Sequence, residues 1–369
     1  MKVAVLTSSR ADYGIYLPLL KAIQERQHIE LDLIVFGTHC SSAHGFTVQQ
    51  IKADGFEPYI EIENLLPGDS PEQISKSFAR TVDLFANFWQ QNNHYDWVLA
   101  LGDRFEMAAA VQAGIPFGIR FAHLHAGETT LGAIDNIYRH QISLASQLHF
   151  VSTPASALRV QQIVGSSDTA TVVGALSLDN LKTLPLLSLS AFLEKWKIDL
   201  QKPSVLMTVH PETIAYQDNE QHLNELSVAI ETILKTHQVI VTLPNADTSS
   251  LLWRKYFLAL AEQYPGRVFA IENFGSQSYF TCMNHVDLLI GNTSSGILEA
   301  ASFGKYVLNL GSRQAGRECG PNVISVPFVA QQILEQFSAL NGSTYNGENI
   351  YFKADTAALI INKLEQNLL

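Results

Sequence analysis

Residues 97–106 read Trp97-Val98-Leu99-Ala100-Leu101-Gly102-Asp103-Arg104-Phe105-Glu106. Five apolar residues, closed by a glycine and an Asp-Arg pair, are what a strand buried on both faces of a parallel sheet looks like where it yields to a loop. Leu33-Ile34-Val35-Phe36 has the same character, and strands are expected at 2–7, 31–36, 97–101, 117–122, 148–152 and 170–173. Between them lie apolar positions at helical spacing, such as Leu17, Leu20 and Ile23, or Phe78, Val82, Phe85, Phe88 and Trp89. Strand–helix alternation of this kind predicts an α/β, doubly wound lobe over 1–180. The pattern stops near Val173-Gly174, passes through Leu184-Pro185-Leu186-Leu187-Ser188-Leu189-Ser190, and restarts at Ser204. Strands near 204–209, 238–243, 267–271, 286–290, 306–310 and 323–326 predict a second lobe over 181–353, and 354–369 holds an amphipathic helix. Two such lobes imply an interdomain cleft at the carboxyl ends of two parallel sheets, where these folds bind ligands.

Length and composition agree. A chain of 369 residues with 47% hydrophobic and 16% charged residues exceeds what one core holds and is too apolar for disorder. Its net charge is −11, with 11 basic against 18 acidic residues before position 180 and 13 against 17 after it. Neither half offers a basic face to a nucleic acid or an anionic membrane. Met1-Lys2-Val3-Ala4-Val5-Leu6-Thr7 is too short an apolar stretch for a signal peptide, and no run of about 18 apolar residues forms a transmembrane helix. Cys40, Cys282 and Cys319 are odd in number and far apart, which fits neither a disulfide framework nor a zinc spacing. A reducing, cytoplasmic setting is expected.

Polar residues gather just after the strands. Thr7-Ser8-Ser9-Arg10-Ala11-Asp12-Tyr13-Gly14 leads into a helix whose N–H groups, with Arg10, suit a phosphate; a Ser/Asp helix cap with a surface arginine explains it equally well. Asp103 and Arg104 read as an acid/base beside an anion clamp, or as a loop ion pair. Then come His123-Leu124-His125-Ala126-Gly127-Glu128, Asp135, Arg139 and His140. Alternation puts His123 and His125 on one side if the strand persists, and Asp135 and Arg139 share a helix face. So many titratable groups at one edge favour a site over buried core histidines. Zinc is disfavoured, because neither H-E-x-x-H nor H-x-x-E-H occurs and Arg139 would repel a dication. In the second lobe, strands end in His210-Pro211-Glu212-Thr213, Pro244-Asn245-Ala246-Asp247-Thr248 and Gly291-Asn292-Thr293-Ser294-Ser295-Gly296, the last opening a helix that carries Glu299. Hydroxyls and glycine at a helix start can cradle a phosphate; a Ser/Thr cap with a capping-box glutamate is nearly as good a reading. Leu310-Gly311-Ser312-Arg313-Gln314-Ala315-Gly316-Arg317 is a polar loop of the kind that is usually just solvated. No G-x-G-x-x-G dinucleotide fingerprint is present.

Together these segments resemble the UDP-N-acetylglucosamine 2-epimerase family, and within it the hydrolysing branch that opens sialic-acid synthesis. The resemblance rests on S-R-A-D-Y-G at 9–14, G-D-R-F-E at 102–106, H-L-H-A-G-E at 123–128, D-N-I-Y-R-H at 135–140, H-P-E-T at 210–213, P-N-A-D-T at 244–248, G-N-T-S-S-G-I-L-E at 291–299 and G-S-R-Q-A-G-R at 311–317. It implies two Rossmann-like lobes of the glycosyltransferase-B type, with the last helix returning to the first lobe. It also implies anti elimination of UDP to a 2-acetamidoglucal and then hydration, without a metal or redox cofactor. On matching positions Asp103 and Asp135 would be the acid/base carboxylates. Arg10 (beside Ala11), His210, Thr293, Ser294, Ser295 and Gly296 would hold the diphosphate, and Glu299 the ribose. Asn245, Phe274 and Arg313 would help place the nucleotide, and Arg104 and Arg139 would anchor substrate. Many members carry Glu where His125 stands, so here His125 or Glu128 takes that role, or the step is divided differently. Reversible bacterial epimerases typically show G-H-R-R-E where this chain has V-H-P-E-T, and Pro211 cannot reproduce the arginine of their allosteric site.

Rival readings are a UDP-sugar glycosyltransferase of the same fold and a non-catalytic UDP-sugar sensor. Within the epimerases, UDP-N-acetylglucosamine competes with UDP-2,4-diacetamido-2,4,6-trideoxyglucose as substrate. A homo-oligomer, dimer or tetramer, is expected, and the stripe Phe85, Phe88 and Trp89 is either core or dimer interface.

Overall fold

A computed structural model describes residues 1–214, 216–244 and 249–368, apart from the side chains of Lys182, Thr183 and Tyr216. Its contacts divide the chain into two units. One comprises Met1–Glu128, Ile134–Thr183 and Tyr351–Leu369; the other comprises Thr129–Ala133 and Leu184–Ile350.

Among the described residues the first unit has seven strands: β1 (Lys2–Thr7), β2 (Glu30–Phe36), β3 (Ile60–Ile62), β4 (Trp97–Leu101), β5 (Phe121–Leu124), β6 (Ser146–Val151) and β7 (Ala170–Val172). All pair in parallel, in the order β3-β2-β1-β4-β5-β6-β7. The direction of winding reverses between β1 and β4, so the loops after those two strands flank the switch point where such sheets take ligands. β3 is a three-residue edge strand that the sequence pattern does not announce. β5 lies later than the expected 117–122, because Ile115–Phe117 forms a 3-10 turn closed by Gly118 at φ +67°. Helix Pro71–Gln91 buries Phe85, Phe88 and Trp89 in one core with Phe36, Val98 and Phe121. Of the two readings of that stripe, core is the one realised.

The C-terminal helix Thr356–Gln366 belongs to this unit and buries Ala357, Ile360, Ile361 and Leu364. Side chains tie it down as well: Trp97 Nε1 donates to the Leu364 carbonyl at 3.1 Å, and Arg120 stacks on Trp97 while donating to the Asn367 carbonyl. Burying an Ile or Leu side chain is worth about 1.5–3 kcal/mol, so the helix, with Ile360, Ile361 and Leu364 buried, is integral to the unit's stability.

The second unit has β8 (Ser204–Thr208), β9 (Gln238–Thr242), β10 (Val268–Ile271), β11 (Leu288–Gly291), β12 (Val307–Leu310) and β13 (Val323–Val326). They pair in parallel in the order β10-β9-β8-β11-β12-β13, the same winding as β1 to β6, with its switch between β8 and β11. At that switch Gly291 has φ +150°, and a Cβ there would lie 1.9 Å from the Thr208 carbonyl oxygen. Only glycine allows the two strand ends this approach. Thr129–Ala133 lies on the loop after β12. Leu131 N–H donates to the Ala315 carbonyl at 2.9 Å, and a Cβ on Gly132 would meet the Ser312 carbonyl at 2.2 Å. No helix among the described residues is long and apolar enough to cross a membrane.

Candidate active site

In the first unit the loop after β1 is organised by one carboxylate. Asp12 is buried and accepts from the Ser8 and Ser9 backbone N–H groups at 2.8 and 2.7 Å and from the Ser8 and Ser9 hydroxyls at 3.0 Å. Ser9 and Asp12 form a full capping box on helix Arg10–Gln24, so the cap reading of this motif is realised. Arg10 stands at the first helical position, half-buried, with Ala11 exposed beside it.

The loops after β4 and β5 meet on Arg139 of helix Asp135–Ala145. This arginine is 2% exposed; its Nη2 donates to the Asp103 carboxylate, and its Nη1 donates to the His125 carbonyl at 2.9 Å and lies 3.6 Å from Glu128 Oε2. These contacts let Arg139 orient Asp103 and Glu128. Arg104 likewise leans on Glu106, Nε to Oε1 at 2.5 Å. Burial pushes the fully enclosed Glu106 carboxyl up, against the pull of Arg104. Asp135 is buried at the start of its helix, one turn before Arg139.

His123 and His125 do not share a face. β5 ends at Leu124, and His125 turns the chain with φ +58°, the left-handed region that non-glycine residues avoid. His123 points into the unit: Nε2 lies 2.8 Å from the Gly102 carbonyl and Nδ1 3.0 Å from Ser143 Oγ. A carbonyl can only accept, which places the proton on Nε2, and burial pushes this imidazole well below its ordinary value. His123 is therefore a neutral brace under the Gly102-Asp103 turn. His125 instead reaches Glu128, Nδ1 to Oε1 at 2.7 Å, and Ser152 at the end of β6 donates to the same oxygen at 2.7 Å. Ser152 was not singled out from the sequence, although its place just past a strand end is the signal that found the others.

In the second unit Asn292 is the hub of the switch point. Its Oδ1 accepts from His210 N–H at 2.7 Å, its Nδ2 donates to the His210 carbonyl at 2.9 Å, and its own carbonyl accepts from Gln314 at 2.8 Å. Glu212 holds the next loop by accepting from Ser312 N–H at 2.5 Å and Ser312 Oγ at 3.1 Å. Thr293 caps helix Ser294–Leu298, with Gly296 buried and Ser294 and Ser295 half-buried in its first turn. Glu299 ends that helix, so it is no capping-box residue; it accepts from Ser295 Oγ. Burial first, and then the Glu299 charge, hold the neighbouring Tyr279 phenol above its ordinary value. Arg313 is half-buried in the loop after β12 and Arg317 buried.

Two expected residues stand differently. The Phe274 ring is buried against Phe192 and Trp196, so what it can offer a nucleotide is backbone at the start of helix Gly275–His285. Asn245 lies outside the described residues. Among the described residues no group of three His, Cys, Asp or Glu could hold a metal ion.

Comparison with known proteins agrees with this architecture. The family model described as UDP-N-acetylglucosamine 2-epimerase matches residues 21–365. The chain is 32% identical to the polysialic acid biosynthesis protein P7 of Escherichia coli, over 95% of this chain and 90% of that protein. It is 33% identical to the hydrolysing UDP-N,N'-diacetylbacillosamine 2-epimerase of Legionella pneumophila, over 96% and 93%. Among solved structures, UDP-GlcNAc 2-epimerase of Neisseria meningitidis bound to UDP-GlcNAc superposes with a TM-score of 0.81 at 18% identity, covering all of both chains. The two parallel sheets are those of the glycosyltransferase-B type, and the chain belongs to the UDP-N-acetylglucosamine 2-epimerase family.

Proposed function

We propose that the chain is a hydrolysing 2-epimerase that converts UDP-N-acetylglucosamine into UDP and N-acetylmannosamine, in the service of sialic-acid synthesis. The observation that carries this reading is the cluster at the ends of β4 and β5, where Arg139 gathers Asp103, Glu128 and His125. A base removes the C2 proton as UDP leaves C1, giving 2-acetamidoglucal; water then adds at C1 and a proton returns to C2 on the opposite face. Each step needs a positioned acid or base. Asp103, Asp135 and His125 are the candidates, with Glu128 held by protein partners. In the second unit His210, Thr293, Ser294, Ser295 and Arg313 would take the diphosphate and Glu299 the ribose, and in the first unit Arg10 is the candidate anion-binding cation. Charge development on departing UDP calls for such donors, and arginines fall selectively in the motif segments of both units: Arg10, Arg104, Arg139, Arg313 and Arg317.

A second substrate, UDP-2,4-diacetamido-2,4,6-trideoxyglucose, is favoured by the name of the Legionella relative. Incubating the chain with each nucleotide sugar in D2O, without acceptor, tests both. Release of UDP and a free manno-configured sugar with deuterium at C2 is expected, and the larger kcat/KM identifies the substrate. Absence of free sugar from both would overturn the epimerase reading and leave a transferase or a sensor.

A further inference from the structure

His125 is conspicuous even without the proposed reaction. It is 6% exposed, its backbone sits at φ +58°, and its Nε2 is enclosed without a hydrogen-bond partner. An unmatched buried nitrogen on a left-handed backbone is a double cost that clusters at functional sites rather than in an ordinary core. Its other nitrogen is over-determined. Nδ1 lies 2.7 Å from Glu128 Oε1 and 3.2 Å from Ser152 Oγ, and Ser152 donates to that same oxygen at 2.7 Å. Because a carboxylate only accepts, the ring proton belongs on Nδ1. Arg139 fixes the remaining freedom by holding the His125 carbonyl from helix Asp135–Ala145.

We infer that Glu128 and Ser152 are positioning residues that keep the His125 imidazole in its Nδ1–H form and leave Nε2 as the proton-transfer atom. This rests on the 2-epimerase reading for the reaction, although the arrangement itself does not need it. In the first elimination step Nε2 takes or relays a proton, and the positive charge then on the ring is met by the Glu128 carboxylate through Nδ1–H. In hydration the same proton leaves Nε2, so the residue is restored. An imidazole in an acid/base role needs its tautomer set, which a carboxylate would not. The charged and titratable groups facing the ring are Glu128 on its own loop, Arg139 from the helix, Asp103 behind Arg139, and His123 two residues back on β5.

The two positioning residues act in opposite senses on the ring's charge. Glu128→Gln keeps an acceptor for Nδ1–H but removes the charge that favours the cation. Ser152→Ala removes a donor that draws charge off the carboxylate, which favours the cation. The limb of the kcat profile governed by an imidazole should therefore move down by about one pH unit in Glu128→Gln and up by a few tenths in Ser152→Ala. His125→Gln should lose this limb and about 10²-fold or more in kcat, with UDP affinity kept. Movement of both variants in one direction, or of neither, overturns the inference. The tautomer is read independently on the whole unliganded chain, from ¹⁵N-histidine spectra with His125→Gln as the subtraction that picks one ring out of 12. Nδ1–H in the parent and in Ser152→Ala, where the carboxylate still accepts, with mixed forms in Glu128→Gln, is expected; Nε2–H in the parent sinks the inference. If neither nucleotide sugar is turned over while the tautomer is as stated, the epimerase reading fails and this arrangement stands.

Discussion

Replacing Arg139 by methionine removes the one cation that three groups share, and its cost follows from the geometry. Asp103 loses its Nη2 partner, the His125 carbonyl loses a 2.9 Å bond, and Glu128 loses a charge 3.6 Å away. Breaking a buried ion pair from one side costs about 3–5 kcal/mol, because the remaining charge stays buried. Counting bonds gives a similar figure: about 1.5–3 kcal/mol for the charged bond and about 1 kcal/mol for the carbonyl. Asp103 is 23% exposed on its side chain, so water recovers part of its share, and about 3 kcal/mol is the expected loss. A domain holds about 5–15 kcal/mol, so the variant still folds. The assay is urea unfolding followed by hydrogen exchange of peptides from 97–151, which reports on the first unit alone. With a slope of about 2 kcal/mol per molar urea, the midpoint should fall by about 1.5 M. Adding Asp103→Asn to Arg139→Met should restore part of the loss, since the stranded carboxylate is gone, with a coupling of about 1–3 kcal/mol. A midpoint within about 0.3 M of the parent, or a coupling of zero, would refute the assignment of Arg139 as the hub.

Gly291→Ala should destabilise the second unit by about 2–4 kcal/mol, because its Cβ would stand 1.9 Å from a backbone oxygen at φ +150°; an unchanged melting temperature refutes the close-approach argument. A chain ending at residue 350 loses the buried Ile360, Ile361 and Leu364 of helix Thr356–Gln366, together about 4.5–9 kcal/mol, and its first unit should exchange amide protons as an unfolded chain does. Burial lowers His39, His123 and His149 below the ordinary 6.5 in the folded state. The unfolded chain then binds more protons, so their stability is present above pH 6.5 and is lost as pH falls, by up to about 1.4 kcal/mol per pH unit for each. His123→Asn should flatten that slope between pH 6.5 and 5; an unchanged slope would mean His123 is not the buried neutral brace described.

Most of both sheets was legible because strands buried on two faces are written as apolar runs, and 12 of the 13 described strands lie where such runs fall, β5 a few residues late. The exception, β3, is three residues at an edge with Glu61 in its middle, a pattern no different from a loop. The strand ends pointed to the candidate site, since polar residues there have no core to fill. Sequence could not separate side chains that face a ligand from those that hold the loops. Asp12 and Glu212 sit in the motifs yet are taken up by backbone and serine donors of their own unit. The parting of His123 from His125 depends on a single positive φ, which no periodicity encodes. Ser152 and Asn292 matter through partners 27 and 82 residues away, a separation that spacing within a motif cannot express.

The division of the chain has a consequence for the order in which the protein can be made. The second unit includes Thr129–Ala133, and the first includes Tyr351–Leu369. During synthesis the first sheet is complete once β7 has emerged, yet Trp97, Arg120 and Asp179 must wait for their partners at Leu364, Asn367 and Ala357. The second unit, begun later, has all its residues once Ile350 has emerged, before the first has its final helix. The earlier half of the chain is therefore the last to be finished, and its apolar seat for the final helix is the surface that a nascent chain leaves uncovered longest.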